Sequence, residues 1–289
     1  MLVLAVTMPA SASSIPSPAP DAAGAVGPCI EVFLLESRVF GNRRTIRVLL
    51  PPGYGDPASR ALRYPVMYFN DGFAVFKPGA WNAPEIVGRL ESEGRIRPLI
   101  VVGIDNGATA ENGSADQRTL EYVPYADARY EPRVPAPRGN RYPEFLVEEV
   151  MPEIASRYRV SPRPKDTGVG GASYGALAAL YAVVHRPGVF GRLLLESTPV
   201  FLSDFAALRE AREARIWPAQ ISIGIGTRET DDEALAKTAG PLMEDLRDII
   251  RGSGARSRVR LSIDPGATHG ATAWRERLPA ALEFLWANP

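Results

Sequence analysis

The 289-residue sequence holds two histidines, His185 and His269, and one cysteine, Cys29. A single cysteine excludes an internal disulfide and any metal site built from several thiolates. Cys29 follows Pro28 where folded sequence begins and is expected at an edge or in the core. Lysine is nearly absent: Lys77, Lys165 and Lys237 are all there is. The other basic residues are scattered arginines, and 33 bases face 33 acids. That balance offers no basic stripe for a nucleic-acid backbone and no field for a charged surface. No run approaches the ~18 apolar residues of a membrane span. The shortage of histidine informs most, because base-assisted chemistry on a serine must choose between two residues.

What the chain does have is the stretch from Pro164 to His185. At its centre, Gly171-Ala172-Ser173-Tyr174-Gly175 fits G-x-S-x-G. Thr167 to Gly171 reads as a buried strand, and Ala176 to Val184 reads as a helix. Strand, tight turn with serine, then helix is the context of a nucleophile elbow. Small residues at 171 and 175 would let the turn close. The helix N-terminus beneath the serine would favour developing negative charge. Two other readings exist. Ser173 could simply cap the helix. Gly168-x-Gly170-x-x-Ser173, with Glu196 after the next apolar run, also approaches a dinucleotide fingerprint, although its third position is serine.

In chain order, residues 1–12 look like a short signal peptide that lacks a basic start, implying secretion or a periplasmic location. Residues 13–28 are rich in Ser, Pro and Ala and read as a flexible segment. Residues 29–289 read as one domain. Strands are expected at Glu31 to Leu35, Arg44 to Leu50, Tyr64 to Phe69 and Pro98 to Ile104. A polar stretch from Gly107 to Asn140 exceeds the usual loop length of ~12–15 residues. A helix is expected from Tyr142 to Tyr158. Beyond the elbow, strands at Phe190 to Leu195, Ile221 to Ile225 and Val259 to Ile263 alternate with helices. Those helices cover Phe205 to Ile216, Asp232 to Arg251 and Trp274 to Trp286. The alternation predicts an α/β fold with a mostly parallel sheet and helices on both faces.

A serine hydroxyl needs a base that accepts its proton, and the base needs a carboxylate to orient it. His185 lies twelve positions after Ser173 on the same helix, about 18 Å away at ~1.5 Å per residue. His269 follows the last strand in a loop, where ligand crevices of such sheets form. The candidate base is therefore His269. The candidate carboxylate is Glu229, first of the acids after the strand at Ile221, with Asp231 and Asp232 as alternatives. For an oxyanion, the expected donors are the backbone N–H of Tyr174 and one from the turn Asp71-Gly72-Phe73. No metal or cofactor is called for.

Several segments together resemble one esterase family of the α/β-hydrolases. That family includes enterochelin-esterase-like hydrolases, esterase D, feruloyl esterases and mycolyltransferases. The carriers are Tyr64-Pro-Val-Met-Tyr with Asp71-Gly72, Val101 to Asp105, Arg118 to Tyr122, Gly170 to Gly175, Gly226-Thr-Arg-Glu229, and His269 with Trp274 to Leu278. The resemblance implies an α/β-hydrolase fold and supports Glu229, since the family's acid follows a Gly-Thr pair. It marks Arg118 as a candidate substrate contact; Tyr122 and Asp71 are further candidates. Gly270-Ala271 after the histidine departs from many relatives. The reading is a serine hydrolase acting on a small-molecule ester through an acyl-enzyme. Its rivals are an acyltransferase with the same three residues, a non-catalytic binding protein and a nucleotide binder. Tyr54, Phe76, Trp81, Tyr122 and Trp217 are offered either as pocket lining or as core.

Overall fold

The computed structural model describes residues 29–109, 116–127 and 136–288. The signal-like and flexible segments expected over 1–28 lie outside them. Eight strands form one sheet in the order β1-β2-β4-β3-β5-β6-β7-β8. They are β1 (Cys29–Ser37), β2 (Asn42–Leu50), β3 (Val66–Asn70), β4 (Ile100–Ile104), β5 (Thr167–Ala172), β6 (Arg192–Glu196), β7 (Gln220–Arg228) and β8 (Arg258–Thr268). β1 pairs antiparallel with β2, and β2 antiparallel with β4. Every later pairing is parallel. β3, β4 and β5 are buried on both faces, which is why each reads as a continuous apolar or glycine run instead of an alternation.

Helices cover both faces of the sheet. α1 (Gly72–Val75), α2 (Ala83–Ser92) and α9 (Ala271–Trp286) pack on one side, where Phe69, Trp81, Leu90 and Trp286 are core. α6 (Tyr174–His185), α7 (Leu202–Glu213) and α8 (Glu233–Gly252) pack on the other. α4 (Tyr142–Glu144), a π-helical stretch (Phe145–Val150) and α5 (Met151–Arg157) run together there as the expected helix. The layered α/β architecture is the one the strand–helix alternation predicts. No helix among the described residues is long and apolar enough to cross a membrane.

Three details depart from the sequence reading. α2 has no counterpart in it. Its entry residue Asn82 is left-handed (φ 55°), and Pro84 and Gly88 lower its helical propensity. α3 (Asp116–Tyr122) lies inside the polar stretch that reads as a loop. α7 starts before Phe205, and Ser203, Asp204 and Phe205 form a left-handed kink near its start.

α3 is tied down from its far side. Glu121 takes two hydrogen bonds from Arg44, at 2.8 and 2.9 Å, one from Asn42 and one from the Gly107 N–H. Both charged side chains are essentially inaccessible. The Arg44 guanidinium also lies 4.4 Å from the Phe145 ring centre. Removing one member of such a pair strands the other charge in the core. Glu121→Ala is therefore expected to lower unfolding free energy by about 3–5 kcal/mol. The double variant Arg44→Met/Glu121→Leu should recover most of that loss, as read by urea denaturation.

Candidate active site

Ser173 stands between β5 and α6 with φ 55° and ψ −129°. This is a backbone region that non-glycine residues rarely occupy. Its N–H is held by the Glu196 carbonyl at 2.8 Å, and its own carbonyl accepts from Ala176 and Leu177. The turn is too tight for side chains on its flanks. A Cβ on Gly171 would stand 2.8 Å from the Gly175 backbone, and one on Gly175 would stand 3.0 Å from Asp71 Oδ2. The Ser173 hydroxyl makes no capping bond to α6, so the plain helix-cap reading does not hold. Glu196, the acid of the dinucleotide alternative, is buried against Arg277 at 2.7 Å. Burial pushes its carboxyl up to about 7 in spite of that partner. It presents nothing to a ribose.

His269 and Glu229 are brought together from the ends of β8 and β7. The two strands pair parallel as far as Arg228 and Thr268, through an irregularity between Gly226 and Arg228. His269 Nδ1–H donates to Glu229 Oε2 at 2.6 Å. The other oxygen, Oε1, accepts from the Gly226 N–H at 2.6 Å and from Ser197 Oγ at 2.9 Å. Burial pushes the Glu229 carboxyl up, but the bonds from His269, Gly226 and Ser197 outweigh it and hold it below the usual range. The alternative acids lie elsewhere: Asp232 caps α8 through the Ala234 and Leu235 N–H groups, and Asp231 is exposed. His185 pairs with Glu210 at the far end of α6.

Ser197 and Trp274 belong to this cluster; Ser197 had no part in the sequence reading, and Trp274 entered it only through the resemblance and as the start of the last helix. Trp274 Nε1–H donates to Ser197 Oγ at 2.9 Å, and its ring meets the His269 ring edge-on at 5.2 Å. Trp274 thus supplies from α9 the contact that Gly270-Ala271 cannot make. One available signal was the placement of Ser197 directly after β6, at the same rim as Ser173. Its left-handed φ of 50° could not be read from residue types.

Ser173, Glu229 and His269 line one cavity of about 290 Å³ with Tyr174, Ser197, Thr198 and an apolar wall from Phe201, Leu235, Leu242 and Met243. Ser173 and His269 both border this space, and the ring bonds to Glu229 through Nδ1.

The other candidates occupy different roles. Arg118 clamps both oxygens of Asp71, at 2.9 and 2.7 Å, and Asn106 adds a third bond. Tyr122 is fully buried, and its hydroxyl accepts the Asp71 N–H. These three bond to one another beneath the turn, and none of them lines the cavity. Gly72 is required by packing, because a Cβ there would stand 2.4 Å from the Gly103 backbone of β4. The Phe73 N–H is engaged by the Asp105 carboxylate, which burial pushes up and Arg47 and this N–H pull back. Phe76, Trp81, Tyr122 and Trp217 are core residues, and Tyr54 packs beside the core; none lines the cavity.

Comparison with known proteins agrees with this architecture. The Esterase family model, described as "Putative esterase", matches residues 37–285. Uncharacterized protein YbbA of Bacillus subtilis is 23% identical over 258 residues, covering 88% of this chain and 96% of its own. The BES protein of Bacillus cereus superposes with a TM-score of 0.71 at 17% identity, covering 93% of this chain and all of that one. Siderophore hydrolase EstB from Aspergillus nidulans gives 0.70 at 22% identity, over 93% and 97%. At these identities the structural likeness establishes the fold.

The depressed Glu229 carboxyl has a pH consequence. Its folded pKa lies below the ordinary unfolded value of ~4.3. The ionised form therefore stabilises the fold above pH ~4.3, and that stability drains away as pH falls through the lower folded value. Stability curves of wild type and Glu229→Gln should run parallel from pH 5 to 7 and converge below pH ~4.3. Urea melts across that range check it.

Proposed function

Because the chain belongs to the esterase family of the α/β-hydrolases, we propose that it cleaves a carboxylic ester through an acyl-enzyme on Ser173. One observation carries the proposal. A serine whose hydroxyl is unused by its helix, in a strained turn, shares a cavity wall with a histidine already oriented by a carboxylate. That is the division of labour a hydroxyl nucleophile needs.

In the first half-reaction Ser173 Oγ attacks the ester carbonyl carbon while His269 Nε2 takes the hydroxyl proton. Glu229 keeps Nδ1 protonated, so Nε2 is the nitrogen free to accept. The tetrahedral oxygen is held by the Tyr174 N–H in the first turn of α6, whose dipole favours negative charge. The Phe73 N–H is the second donor, once it exchanges Asp105 for the oxyanion. The bond to the leaving alcohol oxygen breaks as His269 returns the proton to it. Water, deprotonated by the same ring, then releases the acid and restores Ser173. The contact between hydroxyl and ring closes in the Michaelis complex, where such bonds tighten.

Ser173→Ala and His269→Ala should each lower kcat for p-nitrophenyl acetate by ~10⁶. Glu229→Gln, which alters the orienting bond and leaves the shape, should cost ~10⁴. Turnover undiminished in either of the first two variants removes that residue from the mechanism.

A further inference from the structure

We infer that the cavity beside Ser173 receives the acid half of an uncharged ester, a short aliphatic or single-ring acyl group, and that α8 sets its length. The inference rests on the hydrolase reading and deepens it. The cavity wall is chemically one-sided. Leu235, Ala239, Leu242 and Met243 recur at helical spacing along α8, and Phe201 and Ile225 complete the apolar surface. Leu235 is 41% exposed at the open end of that stripe, an apolar surface without a core to fill. The deeper part of α8, Met243, Leu246 and Ile250, is spent on the core. One helix face thus changes from packing to cavity wall within two turns.

Charge points the same way. No lysine or arginine lines the cavity; its ionisable residues are Tyr174, Glu229 and His269. Arg118, the cation expected to meet an anionic substrate, gives its Nε and Nη2 to Asp71 and does not line the cavity. An acyl group carrying a carboxylate would lose water next to Glu229 and gain no counter-charge. Size limits the choice further. The volume of about 290 Å³ sits at the small end of ligand pockets, which run ~300–1,000 Å³. The acid half is assigned to this space because it stays bonded to Ser173 through both half-reactions, whereas the alcohol must leave. A pocket that begins at the nucleophile and is walled by α8 suits the part that stays.

The test is an ester panel run on wild type, Ala239→Phe, Leu235→Arg and Ser173→Ala. The acyl series is p-nitrophenyl acetate, butyrate, hexanoate, dodecanoate and hemisuccinate; the alcohol series is ethyl and hexyl acetate. With wild type, kcat/KM should rise ~10–100-fold from acetate to hexanoate, as buried methylenes predict, and fall at dodecanoate. The anionic hemisuccinate should lie at least ~100-fold below butyrate. Ala239→Phe shortens the pocket and should cut the hexanoate-to-acetate ratio at least ~10-fold. Leu235→Arg, at an exposed position that tolerates polarity, should raise the hemisuccinate-to-butyrate ratio by ~10-fold or more. Hemisuccinate turned over as fast as butyrate overturns the inference. So do ratios that neither pocket variant moves, or length dependence confined to the alcohol series. Turnover that survives Ser173→Ala fails the hydrolase reading itself, an outcome distinct from the others.

Discussion

The backbone of Ser173 is held where a non-glycine residue sits only under compulsion, at a cost of about 1–3 kcal/mol. The compulsion comes from three directions. β6 fixes the serine N–H through the Glu196 carbonyl. α6 begins at the next residue and uses the serine carbonyl as its first acceptor. The two glycines let β5 and α6 close to within a distance that a methyl group would forbid. Nearly everything else in the fold braces this turn. Asn70 at the end of β3 donates to the Gly175 carbonyl at 2.6 Å, and Asp71 stands where a larger residue at 175 would need space.

A second layer of bracing lies beneath Asp71. Arg118 and Asn106 satisfy its carboxylate, and Tyr122 satisfies its hydroxyl-facing N–H. Arg118 and Tyr122 ride on α3, which Glu121 fastens to Arg44 in β2. An ion pair on the antiparallel side of the sheet is thereby linked, through one short helix, to the turn beside Gly175 in the Ser173 elbow. The arrangement explains why so many charged groups are buried here: each side chain positions the next.

How much of this could be read from residue types alone depends on whether a feature is local. The elbow could, because strand, glycine spacing and helix are contiguous from Thr167 to His185. The position of His269 beside the cavity could, because it lies in the loop after the last strand, whereas helix geometry sets His185 at the far end of α6. Glu229 was separable from Asp231 and Asp232 only through its neighbours, and the structure shows the reason: Asp232 is occupied by a helix cap. The bonds that join Arg118, Tyr122 and Asp71 to one another could not be read from residue types. Their mutual satisfaction involves partners about 50 residues apart, which no short window contains. α2 and α3 were missed for a related reason. Their helicity comes from packing of Ile86, Val87 and Leu90 in one case and from the Arg44 anchor in the other, and both override weak local propensity.

Glu229 and His269 impose a different demand, since their bond requires the ends of β7 and β8 to stay in register. β8 is an edge strand with one neighbour, so its far end has little else to hold it. The answer is length. β7 and β8 continue to Arg228 and Thr268, past the rim at which β5 and β6 stop. Gly226 sits in the irregularity between them, where a Cβ would stand 2.1 Å from the Ala267 carbonyl oxygen. The same residue's N–H binds Glu229. The Gly226 backbone therefore joins the two strands and aims the carboxylate in one step. Ser197 and Trp274 then tie that carboxylate and the imidazole to β6 and α9. Ser173 stands at the centre of the sheet and the His269–Glu229 pair at its edge, and the Ser197 turn, directly after β6 and bonded to Glu229, ties the two together.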